Sequence, residues 1–265
     1  MKNEAVRTTT SDSRTNITSH KIIQLTDAQD LIIWMLFTEE RKITCSERSG
    51  ASKVCSDELN IKLQALGSFQ KNFDKEAKNV MEMRGRAFSA PDGTVNFSNG
   101  YIVVEDPWKE MRIGTFMMNY LVAWAKTHYP DYQPVGISLS SNQAGKDYKE
   151  RRNRFYDRFK FRFIWDDTEC KEGNLDPEMR VSDLHTTDKW EERIKVFSVE
   201  EGMKGIFSES RQHRLDLRDA QHRMESAINA RNRAEADAAQ NRAERTRWAL
   251  FGLAIGFVAT LILKA

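Results

Sequence analysis

The chain has 265 residues, which is enough for one domain of ordinary size and additional segments. Charged residues make up 30% of it, but the formal net charge is only +2, which excludes a strong overall attraction to nucleic acid. The cysteines, Cys45, Cys55 and Cys170, have no metal-ligand spacing, and the N-terminus has no signal-peptide pattern, so a reduced cytosolic environment is expected. The scattered histidines form no helical metal pair, and no metal site is predicted.

The N-terminal part predicts a tail, a strand and a helix. Residues 1–19 are rich in Ser, Thr and Asn without an apolar period, which predicts a disordered tail. A short strand is expected at Lys21–Leu25. Thr26 or Asp27 then predicts an N-cap for a helix. This helix would place four apolar residues on one face: Leu31, Ile32, Met35 and Leu36.

The next segment, residues 41–73, is polar and gives a mixed signal, although some of its apolar residues could belong to a helix. These residues are Leu59, Ile61, Leu63, Leu66 and Phe69. Strands are predicted at Val80–Ser89 and Thr94–Val104, because residues 90–93 between them, Ala-Pro-Asp-Gly, are a strong turn signal.

A strand followed by a helix organises the centre of the chain. Tyr101–Val104 predicts a buried strand that ends in a turn. Apolar residues at helical spacing predict an amphipathic helix over Gly114–Lys126. A helix that begins at a glycine presents free backbone N–H groups and the positive end of its dipole, and both suit a phosphate group.

The rest of the domain alternates strands and one helix. A strand is predicted at Val135–Ser140 and a helix at Ala144–Phe159, whose aromatic residues share one stripe. Two final strands are predicted at Phe161–Trp165 and Glu178–Val181.

Two of these segments resemble motifs of the GNAT acyltransferase family. The join before the central helix resembles the family's pyrophosphate-binding motif: Gln or Arg, two residues, Gly, any residue, then Gly or Ala. Aligned on Gly114, Lys109 takes the first position and Arg112 stands where the first glycine belongs. The segment Arg154–Phe161 resembles the phrase that closes the family's fourth helix, with Lys160 in place of a glycine. The resemblance covers residues 20–184.

The resemblance implies a GNAT-like α/β (α+β) fold with a mixed central sheet flanked by helices. It also implies that acetyl-CoA binds between two central parallel strands and places its pyrophosphate on the amides before the third helix. The residues that would bind it are Lys109, Met111, Arg112, Ile113, Gly114, Thr115 and Asn142.

For catalysis, the resemblance places Tyr156 at the position of the acid that protonates the departing thiolate. Glu105 is the carboxylate nearest the end of the organising strand and could deprotonate the acceptor amine. The structural alternatives stay open: Tyr156 as a core residue, Glu105 as the start of a turn, and Lys109 and Arg112 as solvated charges.

Beyond the domain, a linker is expected at residues 185–208 and a long exposed helix at 209–247. The latter lacks Gly and Pro and is rich in Ala, Arg, Glu and Asp. A weak heptad indicates a stalk that could self-associate as a coiled coil. It runs through Leu217, Ala220, Met224, Ala227, Arg231, Ala234, Ala238 and Asn241.

The last segment, residues 248–263, is uncharged and predicts one C-terminal transmembrane helix. Gly252 and Gly256 have the spacing that lets two membrane helices approach closely. Arg242, Arg245 and Arg247 precede the segment, which favours a cytoplasmic position for the domain.

The sequence therefore predicts a membrane-tethered acyltransferase that moves an acetyl group from acetyl-CoA to an amine. The acceptor could be a small amine, a protein or an aminoacyl-tRNA. The alternatives are a catalytically degenerate GNAT fold that acts as a binding or assembly module, and a device in which the stalk and anchor are the active part.

Overall fold

The computed structural model describes residues 11–27, 29–47, 54–67, 79–89, 93–97, 108, 110–143 and 148–262. The chain divides into two units, Met1–Phe207 and Ser208–Ala265. The elements are β1 (Ser11–Thr26), β2 (Ile32–Glu47), β3 (Val54–Gly67), β4 (Asn79–Phe88), β5 (Thr94–Phe97), α1 (Ile113–His128), β6 (Gln133–Val135), β7 (Ser138–Leu139), a 3-10 turn (Ser141–Gln143), α2 (Tyr148–Arg158), β8 (Phe163–Trp165), β9 (Gly173–Leu175), a second 3-10 turn (Val181–Asp183), β10 (Ile194–Phe197) and α3 (Val199–Ile262).

The main sheet has seven described strands in the order β10-β1-β2-β3-β4-β5-β6. Its neighbours are antiparallel except for β5 and β6, which are parallel and joined through α1. A smaller sheet has the described order β7-β9-β8. The predicted class, a mixed α/β protein with a large mixed sheet and a long C-terminal helix, is confirmed.

The first hairpin differs from the prediction of a tail, a short strand and a capped helix. β1 begins at Ser11 and pairs with β2 over its whole length, so the predictions of disorder over residues 11–19 and of a helix after Asp27 are wrong. The Asp27 carboxylate instead accepts hydrogen bonds from the backbone N–H groups of Gln29 and Leu31. These bonds close the turn between β1 and β2. The predicted cap is a turn residue.

The helical interpretation of residues 41–73 is also wrong, because β2 continues to Glu47 and β3 covers Val54–Gly67. In β3, Leu59, Ile61 and Leu63 are buried on one face and alternate with more accessible residues, which is the period of a strand. Cys45 and Cys55 lie opposite each other and form a disulfide, so the expectation of reduced thiols is wrong for this pair.

Helix α1 packs on one face of the sheet, and the prediction of this helix is confirmed. The Phe116 ring lies 5.4 Å from that of Phe37 on β2. A side chain at Gly85 on β4 would bring its Cβ within 2.7 Å of Trp124, so the absence of one lets α1 lie close to the sheet. The same helix therefore contacts at least two strands of the sheet that precede it in the chain.

The segment predicted as a linker, residues 185–208, is part of the fold. β10 pairs with β1 from Ile22↔Phe197 to Leu25↔Ile194. At the start of α3, a Cβ at Gly205 would lie 2.7 Å from the Trp34 ring on the sheet face opposite α1. The linker prediction is therefore wrong.

The other late strands are partly as predicted. β8 lies within the predicted Phe161–Trp165 strand, whereas the predicted strand at Glu178–Val181 is wrong, because β9 is Gly173–Leu175 and a 3-10 turn begins at Val181. The predicted strand Tyr101–Val104 lies outside the described residues.

Helix α3 runs from Val199 to Ile262 and includes the predicted stalk. Among the described residues, no helix is both long and apolar enough to cross a membrane. The side chains of the predicted anchor, residues 248–263, lie outside the described part of the chain.

Candidate functional site

The N-terminus of α1 has no cap of its own. Arg112 precedes the helix without a side-chain cap, and the first turn has no acidic residue. The first helical hydrogen bond runs from the Phe116 N–H to the Arg112 carbonyl, 2.9 Å. The N–H groups of Ile113, Gly114 and Thr115 therefore have no acceptor within the helix, and its first turn carries no acid to offset the positive end of its dipole.

The backbone is left-handed at both positions where the resemblance to GNAT proteins expects glycine. Arg112 has φ 65° and Lys160, just after α2, has φ 61°. Glu110, two residues before Arg112, also has a positive φ, 67°. Residues other than glycine are disfavoured in this region by roughly 1–2 kcal/mol. The chain thus keeps a backbone shape suited to glycine where its sequence has Arg and Lys.

Arginines from α2 gather near this helix end. Partial burial, and after it the nearby Arg112 and Arg154, lower the pKa of the Arg158 guanidinium. Glu192 forms an ion pair with Arg112, 3.2 Å between Nη2 and Oε2, and Arg151 forms one with Glu110 at 3.5 Å. Arg112, Arg154 and Arg158 lie close enough to repel one another here, and a bound anion would relieve that repulsion.

Arg158 also lines an open cleft of about 490 Å³, together with Asn119 of α1 and the loop residues His185 and Trp190. The Asn119 side chain accepts the N–H of Thr187 at 2.7 Å, which ties this loop to α1. The cleft therefore adjoins the cluster of arginines through Arg158.

Tyr156 lies on α2 in an aromatic cluster. Its ring centroid is 5.2 Å from that of Phe155, 5.8 Å from Phe161 and 5.5 Å from Phe163. Burial raises the pKa of the Tyr156 phenol to about 12, against the opposing effect of Arg152. The phenol is therefore protonated at neutral pH, and its burial makes it a weaker acid than a free tyrosine.

The pairing of the parallel strands β5 and β6 ends close to this aromatic cluster. The β5–β6 pairing ends at Asn96↔Val135, and Gly136 follows with φ 85°. The Asn96 side chain occupies the space that a Cβ at Gly136 would need, so glycine is required here both for its conformation and for the close approach. The chain then enters the smaller sheet as β7.

The structure brings only some of the predicted site residues together. Arg112, Ile113, Gly114 and Thr115 form the uncapped helix end, with Met111 directly before them. Asn142 is exposed on the 3-10 turn after β7, and none of the contacts above involves it. Glu105 and Lys109 lie outside the described residues.

A second polar cluster, at the C-terminal end of α1, has no counterpart in the sequence predictions. The Asp57 carboxylate on β3 accepts three hydrogen bonds from the Arg41 guanidinium, at 3.1 Å to Oδ1 and at 3.0 and 2.6 Å to Oδ2, and one from the Tyr129 hydroxyl at 2.5 Å. Arg41 also contacts His128 at 3.1 Å. Burial, followed by Arg41, lowers the pKa of His128. Asp57 interrupts the apolar face of β3, and this is the sequence signal that could have identified it.

No protein-family model, no curated protein and no solved structure matches this chain. The fold defines a mixed α/β protein with a large mixed sheet and a long C-terminal helix.

Proposed function

We propose that this chain is an acetyltransferase of the GNAT type, which binds acetyl-CoA at the N-terminus of α1 and transfers its acetyl group to an amine. The observation that carries the proposal is the left-handed backbone at Arg112 and Lys160, the two positions where the resembled motifs have glycine. One residue departing from a motif is common. Two positions that depart from the motifs in side chain but keep the backbone conformation of glycine favour a local geometry shared with GNAT proteins.

Phosphate binding would use the free N–H groups of Ile113, Gly114 and Thr115. An uncapped helix end offers aligned donors and a positive partial charge to an anion. Guanidinium groups of Arg112 and Arg158 would add forked donors that suit phosphate oxygens. The mutual repulsion of Arg112, Arg154 and Arg158 supports the same assignment.

Acetyl transfer requires a neutral amine and the return of a proton to the departing thiolate. The amine nitrogen forms a bond to the acetyl carbon while the carbon–sulfur bond breaks. Tyr156 is the proposed proton donor, because it stands at the position of the acid in the resembled motif and packs on Phe161, which contacts Phe97 at the end of β5. The base proposed for the amine is Glu105.

The alternative, a GNAT-like binding module without turnover, is favoured by one observation. Glu192 already pairs with Arg112 at 3.2 Å, so a bound phosphate would compete with a carboxylate of the protein. In this version the anion site exists, but acetyl transfer does not take place.

Thermal unfolding of the full chain with and without acetyl-CoA tests both versions. A ligand at 100 times its Kd should stabilise the native state by about 2.7 kcal/mol, which raises the melting temperature. Thiol release from acetyl-CoA in the presence of small amines, basic proteins or aminoacyl-tRNA then separates an enzyme from a binding module. An unchanged melting temperature at millimolar acetyl-CoA would contradict both.

Membrane attachment through residues 248–263, with the domain on the cytoplasmic side, stays a prediction. Deleting everything after Arg247 should move the protein to the soluble fraction without changing acetyl-CoA binding. Full-length protein that is soluble without detergent would overturn the anchor.

A further inference from the structure

The helix beyond the first unit has no described partner. From Arg214 to Ala238 every side chain of α3 is exposed. A long helix without tertiary packing depends on ion pairs between residues four apart. Between Arg214 and Ala238 the described residues form one, Arg231–Glu235, 2.8 Å. The segment is therefore poorly stabilised on its own.

One stripe of this helix is nearly free of charge. Leu217, Ala220, Met224, Ala227, Arg231, Ala234 and Ala238 recur at alternate spacings of three and four residues. Within the stripe, Leu217 is 46% and Met224 66% exposed, and Ile228 beside it is 47% exposed. Alanine at every second position allows another helix to approach closely. The seven residues Leu217, Ala220, Met224, Ala227, Arg231, Ala234 and Ala238 are called the seam below.

We propose that the seam pairs with the seam of a second copy of this chain, parallel and in register, to form a two-stranded coiled coil. Large residues of one copy, Leu217 and Met224, then pack beside the same residues of the other, and burial removes their exposed apolar surface from water.

The charges that flank the seam fit a parallel pair. The a positions of the heptad are Leu217, Met224, Arg231 and Ala238. In this register the residue before each a position faces the residue five positions later in the second copy. Asp237 then faces Arg242 of the second copy, an attractive pair. The other facing pairs, 216–221, 223–228 and 230–235, contain no like charges. Arg231, the one charge within the seam, faces Arg231 of the second copy in this register, and its own counter-ion Glu235 offsets part of that repulsion.

The parallel orientation rests on the proposed C-terminal anchor, because two chains held in one membrane by their C-termini must run in the same direction. Pairing itself rests only on the seam. Measuring the orientation of the two helices therefore tests the parallel arrangement separately from the pairing.

Cysteine cross-linking measures the orientation in the full chain. In a Cys170→Ser background, Ala220→Cys and Ala234→Cys should each form a disulfide-linked dimer under mild oxidation, because identical seam positions meet in a parallel pair. Ala236→Cys, the matched control on the opposite side of the helix, should cross-link at least ~10-fold less. Antiparallel chains could link at no more than one of the two seam positions, and that result would overturn the proposal.

Sedimentation in density-matched detergent tests the pairing without cysteines. The full chain should have twice the mass of one 30.7 kDa chain. Leu217→Lys should raise the dissociation constant of the dimer by ~10-fold or more, whereas Leu215→Lys should leave it unchanged. A monomeric wild-type chain, or equal effects of the two variants, would overturn the proposal. Unchanged acetyl-CoA binding in Leu217→Lys would keep this outcome separate from the proposed enzyme.

Discussion

The two ends of helix α1 differ in whether their polar groups are paired within the protein. At the C-terminal end, Asp57 is 2% exposed and each of its oxygens accepts a hydrogen bond from Arg41, with a further one from Tyr129. The Tyr129 N–H also closes the helix on the carbonyl of Ala125, 2.7 Å. These charges and donors are satisfied within the protein, as buried groups normally are.

At the N-terminal end, the first N–H groups of the helix have no acceptor within it. The helix lacks a cap, Arg112 has a left-handed backbone, and arginines from α2 approach one another. The polar groups at one end of α1 are therefore paired within the protein, whereas the first N–H groups at the other end have no acceptor within the helix. The comparison predicts that mutations at the first end change stability and mutations at the second change binding.

The largest expected effect is on stability, from Asp57→Ala at the C-terminal end. Removing the carboxylate leaves the Arg41 charge without its partner in a largely buried place, which typically destabilises by about 3–5 kcal/mol. Urea denaturation would measure the change. Asp157→Ala is the control, because its ion pair with Lys160 is exposed and such pairs contribute roughly 0–1 kcal/mol. Equal losses in both variants would contradict a special role for Asp57.

Tyr156→Phe should lower acetyl transfer by at least ~10²-fold without weakening acetyl-CoA binding. Phenylalanine keeps the aromatic packing with Phe161 and Phe163 but cannot return a proton to the thiolate. Initial rates of thiol release, with binding measured by calorimetry, check both parts. Normal turnover in this variant would assign Tyr156 to packing alone.

Gly114→Val should weaken acetyl-CoA binding by about 10-fold, or ~1.4 kcal/mol. A branched side chain in the first turn of α1 crowds the space in front of the free N–H groups. Ala123→Val places the same side chain later in the same helix and should leave the affinity unchanged. If folded Gly114→Val protein bound acetyl-CoA normally, the phosphate would have to lie elsewhere.

The sequence predicted α1 well because one face of that helix is apolar and the other is not. It failed on β2, where the run from Ile32 to Phe37 is apolar at every position. Trp34 packs near Phe197 on one face of the sheet, while Phe37 packs on Phe116 on the other. A strand covered on both faces has no period of two, so its pattern cannot be distinguished from that of a buried helix.

Only the part of the candidate site that is local in the sequence was predicted. Ile113, Gly114 and Thr115 are consecutive, so a local motif could identify them. The approach of Arg158 to Arg112, and the Asp57 cluster, depend on how distant elements pack. Neither follows from spacing within the sequence.

The smallest expected effects come from restoring glycine at the two left-handed positions. Arg112→Gly and Lys160→Gly should each stabilise the chain by up to about 1 kcal/mol, because glycine adopts φ near +60° without steric penalty but loses more entropy on folding. The lost Lys160–Asp157 ion pair is exposed and the lost Arg112–Glu192 pair is partly exposed, so each should contribute roughly 0–1 kcal/mol.

Binding should separate these two variants, although their stabilities change alike. Arg112→Gly removes a guanidinium from the anion-suited end of α1, so acetyl-CoA affinity should fall a few-fold, whereas Lys160→Gly should leave it unchanged. Ala123→Gly, in the interior of α1, should instead destabilise by roughly 0.5–1 kcal/mol, which shows that any gain is specific to a left-handed backbone. Urea denaturation and calorimetry on the same samples give both quantities. A loss of stability at both positions 112 and 160 would mean that the left-handed backbone is not strained there, and the argument from shared glycine geometry would fail.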